Sequence, residues 1–101
     1  MDKTLHIFNP GHDLALATDV DYIPGWWAKD GDVVLVGDIA HARRTFTRLS
    51  QQVAKYRRWH EPEVEFIEER QLRDYAFTRI NPWRWDRALA YSLRRHGVDE
   101  G

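Results

Sequence analysis

The spacing of apolar residues along the chain predicts alternating strands and helices. Three short segments, 4–8, 33–36 and 64–67, are rich in β-branched, aliphatic or aromatic residues and predict strands. The continuous aliphatic run 33–36 is typical of a strand buried on both faces. Over 39–59 the apolar residues instead recur at steps of four and three, the period of one helix face. The members of this stripe are Ala42, Phe46, Leu49, Val53 and Tyr56.

Capping residues mark the ends of this helix and of a second predicted helix over about 87–96. Asp38 and Asp86 stand at the predicted N-caps, where a carboxylate accepts hydrogen bonds from free backbone N–H groups. Gly97 is expected in the left-handed conformation that ends many helices. The sequence therefore predicts two helices with defined ends.

Weaker patterns complete the prediction. Short helical segments are expected over 14–17 and 71–77, and a fourth extended segment ends at Ile80. Strands separated by helical crossovers require a parallel sheet. The pattern predicts a Rossmann-like α/β fold, a small, open, mainly parallel sheet of three to four strands with flanking helices. A sheet of three to four strands is small for a complete doubly wound fold. We therefore expect residues 1–101 to be a single α/β domain, the N-terminal domain or a fragment of a longer protein.

Composition restricts the class of protein further. The chain has no cysteine, which excludes disulfides and thiolate metal sites and fits a reducing cytoplasm. It opens without an apolar signal core, and no aliphatic run approaches the length of a membrane span. A net charge of -1 gives no overall attraction to nucleic acid or anionic lipid. We therefore expect a cytoplasmic domain with no membrane partner.

The charges are nevertheless unevenly distributed, because residues 41–60 carry six basic and no acidic side chains. These are Arg43, Arg44, Arg48, Lys55, Arg57 and Arg58. One hypothesis is nucleic-acid binding through the basic 41–60 helix. The apolar stripe of the same segment favours a second, the solvated face of an amphipathic helix balanced by neighbouring acids.

Two predicted strand ends have nearly the same sequence pattern. An Asn-Pro break, Asn9-Pro10 or Asn81-Pro82, is followed by an aspartate and then by Ala-Leu-Ala. Each unit suits a strand that stops and a helix that begins after an aspartate N-cap. Both breaks are expected at the carboxyl ends of strands, the edge where open α/β sheets bind ligands.

Candidate substrate-binding residues lie in both units. They are Asn9, His12 and Asp13 in the first and Trp83 and Trp85 in the second. The asparagine would exchange hydrogen bonds with a substrate, and the tryptophans would either form stacking walls or brace the core. A histidine beside a strand end suits acid–base chemistry or metal binding. Because adjacent side chains point apart, however, His12 and Asp13 form neither a dyad nor a chelate, and no catalytic or metal-binding residue is predicted.

The sequence lacks the motifs of phosphate loops and of nucleophilic serines. Neither GxGxxG nor GxxxxGK[ST] occurs, and no serine stands in a GxSxG turn. The chain by itself is therefore expected to hold no cofactor and not to be a complete enzyme.

Two segments resemble a known protein family. Residues 5–17 have the sequence LHIFNPGHDLALA, which is similar to the IFNP-x-HDLALA opening of an uncharacterised family of bacterial proteins found chiefly in Bacteroidetes. Residues 82–98 begin with PWRWDRAL and resemble a later PWGW-D-x-AL pattern of the same family. The chain departs from these patterns at Gly11, where the family has an acidic residue, and at Arg84, where it has glycine.

Members of that family are similar to ATP-grasp proteins, in which a small Rossmann-like domain precedes the ATP-binding part. The resemblance implies a substrate-binding or scaffolding N-terminal domain of a carboxylate–amine ligase, not catalytic by itself. Its partners would be a small-molecule substrate and its own C-terminal catalytic domain, with ATP and Mg bound in that parent protein. The alternative is a protein-interaction module without a catalytic role. Its face would contain Phe46, Tyr56, Trp59 and the Trp83 and Trp85 loop.

Overall fold

The computed structural model describes residues 3–9, 20–83 and 85–98. The strands are β1 (Thr4–Ile7), β2 (Val33–Leu35), β3 (Glu65–Ile67) and β4 (Arg79–Pro82). The α-helices are α1 (Ile39–Ala54) and α2 (Arg87–Arg95), and two 3-10 helices span Ile23–Trp26 and Glu69–Asp74. Within the described ranges, neither α-helix has both the length and the apolar character needed to cross a membrane.

The four strands form one open sheet in the order β3-β2-β1-β4, and every neighbouring pair is parallel. The chain runs outward from β1 through β2 to β3 and then returns to the other side of β1 to form β4. This architecture confirms the predicted small α/β fold. The change of direction creates a topological switch point between β1 and β4, and open α/β sheets bind ligands beyond the carboxyl ends of the strands at such a point.

Both faces of the sheet are covered, as the continuous aliphatic run in β2 predicted. On one face, alternate residues of the strands pack against α2 and the second 3-10 helix: Leu5, Ile7, Val33, Leu35, Ile67, Leu72, Leu89 and Leu93. On the other face, the remaining strand residues pack against α1 and the segment before β2: Tyr22, Ala28, Val34, Val36, Ala42, Phe46, Val64 and Phe66. The two helices therefore anchor opposite faces of the same sheet.

The first helix is shorter than its apolar stripe predicts. It ends at Ala54 rather than near residue 59, and the backbone N–H groups of Tyr56 and Arg57 both donate to the Val53 carbonyl in a closing turn. Tyr56, the last member of the stripe, is 88 % exposed, whereas Phe46 is fully buried. The prediction for Tyr56 is wrong because the helix ends before the stripe reaches it.

The end of β4 also differs from the prediction. The strand continues through Asn81 and Pro82 instead of stopping at Ile80. Pro82 is tolerated because it is the last residue of an edge strand, and the next backbone N–H, of Trp83, donates to the Ile7 carbonyl at 2.7 Å. The Asn-Pro pair is thus part of the sheet.

Other boundaries agree more closely with the sequence. The helix predicted over 71–77 is the 3-10 helix Glu69–Asp74, and α2 ends near residue 96 as expected. Gly97 has a φ of 78°, and the Val98 N–H donates back to the Leu93 carbonyl at 2.8 Å. The short helix predicted over 14–17 lies outside the described residues.

A buried hydroxyl in α1 gives a stability prediction. The Oγ atom of Ser50 has no hydrogen-bond partner among the described residues, and a buried polar atom without a partner destabilises the folded state. We expect Ser50→Ala to raise the free energy of unfolding by about 1 kcal/mol. Urea unfolding measures this, with the exposed Gln51→Ala as the control, which gains only a few tenths from helix propensity. A loss of stability in Ser50→Ala would contradict the assignment.

Candidate ligand site at the β1–β4 switch point

The two Asn-Pro strand ends lie on neighbouring strands. In the β1–β4 register, His6 is paired with Asn81 and Ile7 with Pro82. Asn9 follows β1 and is fully buried, whereas Trp83 follows β4 and is 61 % exposed. The Phe8 and Trp83 rings meet edge to face with their centroids 5.2 Å apart. The structure thus places two of the predicted site residues, Asn9 and Trp83, at the same edge of the sheet.

Of the other three predicted site residues, the structure describes only Trp85. Trp85 lies just before α2 and is 48 % exposed. It does not line the small cavity that opens at the β1–β4 switch point. His12 and Asp13 lie outside the described residues.

A small cavity opens at the switch point. It has a volume of about 240 Å³ and is lined by Ile7, Pro24, Trp27, Asn81, Pro82 and Trp83. Pockets for drug-sized ligands enclose roughly 300–1,000 Å³, so this cavity suits a molecule no larger than an amino acid. Its walls are two half-exposed indoles and two prolines, and Asn81 supplies the polar side chain. The arrangement combines apolar contact area with one oriented hydrogen-bonding group.

A buried polar pair lies behind Asn81. His6 Nε2 is 2.9 Å from Asp32 Oδ2, and both side chains are buried. The Asn81 amide nitrogen lies 3.5 Å from His6 Nδ1. Because a carboxylate only accepts, His6 donates through Nε2, and in the neutral ring Nδ1 then accepts from Asn81. Asn81 in turn keeps its carbonyl oxygen for a ligand.

Asp32 remains ionised in this environment. Burial raises the pKa of Asp32, but hydrogen bonds from His6 and from the Lys29 backbone N–H outweigh this effect. The pKa of Asp32 is therefore held below its ordinary value of 3.8. The Lys29 N–H approaches the carboxylate at 2.9 Å. The ionised Asp32 only accepts hydrogen bonds, so it fixes Nε2 as the nitrogen of His6 that carries the proton toward it.

The sequence prediction missed this pair, although a signal for it was present. Strand alternation places His6 on the same face of the sheet as Val34, and a polar side chain inside a strand needs a buried partner. Asp32 stands immediately before β2, the strand beside β1. Only the register between those strands identifies it as the partner.

Carboxylates occupy the N-terminal end of α1. The Asp38 side chain accepts from the His41 N–H at 3.1 Å and Glu68 accepts from the Ile39 N–H at 3.3 Å. Asp21 accepts from the Gly37 N–H, just before the helix, at 2.8 Å. In dinucleotide-binding folds a phosphate accepts hydrogen bonds from such N–H groups. Here three protein carboxylates satisfy them and repel a phosphate, so this end of α1 does not suit a nucleotide.

The opposite edge of the sheet is an open, charged surface. A cavity of about 450 Å³ there is lined by residues that include Lys3, Asp30, Asp32, Arg43, Glu61, Glu63 and Glu65. Several of these groups are engaged, since Arg43 donates to the Val64 carbonyl at 3.0 Å and the Tyr75 hydroxyl donates to Glu65, which raises the pKa of Tyr75 to about 12. In the part of the chain that the structure describes, no three His, Asp or Glu side chains are arranged to hold a metal ion.

The aromatic face expected for an interaction module is not formed as predicted. Phe46 lies in the core, with its ring centroid 5.0 Å from that of Trp26 and 5.8 Å from that of Phe66. Trp59 is largely buried against Trp26, at a centroid separation of 5.1 Å. Trp83 and Trp85 remain exposed, but they lie at the switch-point end of the sheet.

Known proteins give no direct indication of the activity. Comparisons with protein families, curated proteins and solved structures found no match. Function must therefore be inferred from the site itself, and its most informative feature is the small cavity between two tryptophans and an oriented asparagine at the switch point of the sheet.

Proposed function

We propose that this domain binds a small amine-bearing metabolite, such as an amino acid, at the β1–β4 switch point. Its role would be that of the N-terminal substrate-binding domain of an ATP-grasp-like carboxylate–amine ligase, not catalytic by itself. ATP and Mg would be held by a separate catalytic domain. The observation that carries the proposal is the 240 Å³ cavity lined by Trp27, Asn81 and Trp83.

An amine is favoured because of the groups that line the cavity. The carbonyl oxygen of Asn81, left available by the hydrogen bond of its amide nitrogen to His6, is an acceptor for an ammonium group. The faces of Trp27 and Trp83 attract cations through their ring quadrupoles. A carboxylate or phosphate would meet neither a basic side chain nor a free helix N-terminus among the described residues there. The amine substrate of a ligase therefore fits better than its acid or its nucleotide.

A covering domain is favoured by the exposure of aromatic residues at this end of the sheet. Trp27 and Trp83, at the cavity, and Trp85, just before α2, each have about half or more of their surface accessible. Large exposed apolar groups gathered on one side of a protein typically mark an interface. A catalytic domain packed there would bury these rings and close the cavity over its ligand.

Thermal unfolding in the presence of matched ligands tests the proposal. We expect amino acids to raise the Tm, their N-acetylated forms to raise it far less, and ATP-Mg to leave it unchanged. Ligand at about a hundred times its Kd adds roughly 2.7 kcal/mol of stability, which is a shift of several degrees for a domain of this size.

Two variants make the test specific. Trp83→Ala should abolish the shift, whereas Tyr91→Ala, which removes an equally exposed ring from α2, should preserve it. The proposal fails if no amine shifts the Tm, or if the shift survives in Trp83→Ala.

A further inference from the structure

We infer that the outer surface of α1 and the turn that follows it form a binding site for single-stranded nucleic acid. We call this the basic surface, and it consists of Arg44, Arg48, Lys55, Tyr56, Arg57 and Arg58. It lies apart from the switch-point cavity and does not depend on the function proposed for that cavity.

The cations of the basic surface face solvent together. Arg44, Arg48 and Lys55 are four and seven residues apart, so they lie on one stripe of the helix, and all three are exposed. The stripe is about 17 Å long at the rise of an α-helix. Arg57 and Arg58 extend it beyond the end of α1 and are also exposed.

Neighbouring acids do not neutralise this stripe. Within the described ranges, none of its five cations forms an ion pair, and the ion pairs found there join Asp32 to His6, Glu68 to Arg70 and Glu69 to His96. The sixth base of the segment, Arg43, does have an internal role, because it donates to the Val64 carbonyl and lies over the Phe66 ring. Arg43 therefore has a structural role, which the other five bases of the segment lack among the described residues.

Aromatic rings accompany the cations. Tyr56 is 88 % exposed between Lys55 and Arg57. Beside it, a cleft of about 430 Å³ is lined by Trp26, Val53, Arg57, Arg58 and Trp59. The indole Nε1 of Trp59 is a donor without a partner among the described residues. Interleaved cations and aromatic faces are the chemistry that binds single strands, since phosphates pair with the cations and bases stack on the rings.

A single strand fits better than a duplex or an acidic peptide. The bases of a duplex are stacked on one another and would leave Tyr56 and the cleft without partners. An acidic peptide would satisfy the arginines but would give Tyr56 no planar group to stack on. The exposed ring is therefore the feature that separates the three ligands.

Fluorescence anisotropy with labelled oligo(U) and oligo(dT) of about 12 nucleotides tests the inference. We expect binding whose affinity falls steeply with salt, since each neutralised phosphate contributes about -0.7 to the slope of log K against log salt. Arg44→Gln/Arg48→Gln should make that slope shallower by about 1.4. Tyr56→Ala should weaken binding about fivefold to a hundredfold and leave the slope unchanged.

The matched control is Arg79→Gln/Arg87→Gln, which removes the same charge from exposed positions elsewhere and should bind like the parent chain. Circular dichroism verifies that each variant is folded. The inference is overturned if no oligonucleotide binds at low salt, if the control variant loses as much affinity as Arg44→Gln/Arg48→Gln, or if a duplex or polyglutamate competes as well as the single strand and Tyr56→Ala has no effect.

Discussion

Replacing Asp32 with alanine is expected to lower the free energy of unfolding by about 2–4 kcal/mol, because it leaves two donors in the protein interior without their charged acceptor. The change leaves His6 Nε2 buried without its acceptor at 2.9 Å, and the Lys29 N–H loses its acceptor as well. Chemical denaturation measures the loss. Asp74→Ala, at an exposed position, is the control and should change stability by less than about 0.5 kcal/mol.

The pH dependence of the same variant has a definite sign. The pKa of Asp32 lies below 3.8 in the folded chain, so its ionised form stabilises the fold fully above that value. This contribution is lost as the pH falls through the lower, folded-state pKa. Between about pH 5 and pH 3 the parent chain should therefore lose more stability than Asp32→Ala does. If the free energies of unfolding of the two chains instead changed in parallel with pH, the pKa of Asp32 would not be lowered by folding.

A double-mutant cycle separates the pair from its surroundings. In a His6→Ala background, Asp32→Ala should cost less than it does alone, with a coupling energy of about 0.5–3 kcal/mol. Equal costs in the two backgrounds would mean that His6 and Asp32 do not interact in solution.

Phe46→Ala is expected to destabilise the fold by a similar amount, about 3–5 kcal/mol, because it empties the centre of the core beneath α1. The Phe46 ring contacts Trp26 and Phe66, and a Cβ added at Gly25 would come within 2.8 Å of it. At about 4–8 °C per kcal/mol, the Tm should fall by more than 10 °C.

Two further variants keep this prediction testable if Phe46→Ala does not fold. Phe46→Leu should lose less stability, because it leaves a smaller cavity. Tyr56→Ala removes an exposed ring of the same apolar stripe and should change stability by less than about 0.5 kcal/mol. Similar losses from Phe46→Leu and Tyr56→Ala would contradict the end of α1 at Ala54.

Local sequence patterns were sufficient for most of the fold. The continuous aliphatic run predicted a doubly covered β2, and Asp38 and Asp86 cap α1 and α2 as expected, each accepting from a backbone N–H three residues on. The errors occur where periodicity continues past the end of an element. Tyr56 keeps the helical spacing, yet the helix ends before it, and Pro82 looks like a break although an edge strand tolerates it.

The candidate site was only partly accessible from the sequence. The two Asn-Pro units indicated two strand ends. Whether those ends lie side by side depends on the order of the strands in the sheet, and this order depends on which face of the sheet each crossover covers. Asp32 lies 26 residues from His6 and reaches it only through the β1–β2 register. Trp27 lies outside every predicted strand and helix, and no local pattern assigns it to a cavity.

The five tryptophans allow one direct measurement of the central claim. A 1H–15N correlation spectrum resolves indole N–H groups, so titration with an amine ligand should shift those of Trp27 and Trp83 and the side-chain amide of Asn81. The indole N–H signals of Trp26 and Trp59, which line the separate cleft beside α1, should not shift. Ligand-induced shifts confined to residues 41–60 would contradict a binding site at the β1–β4 switch point.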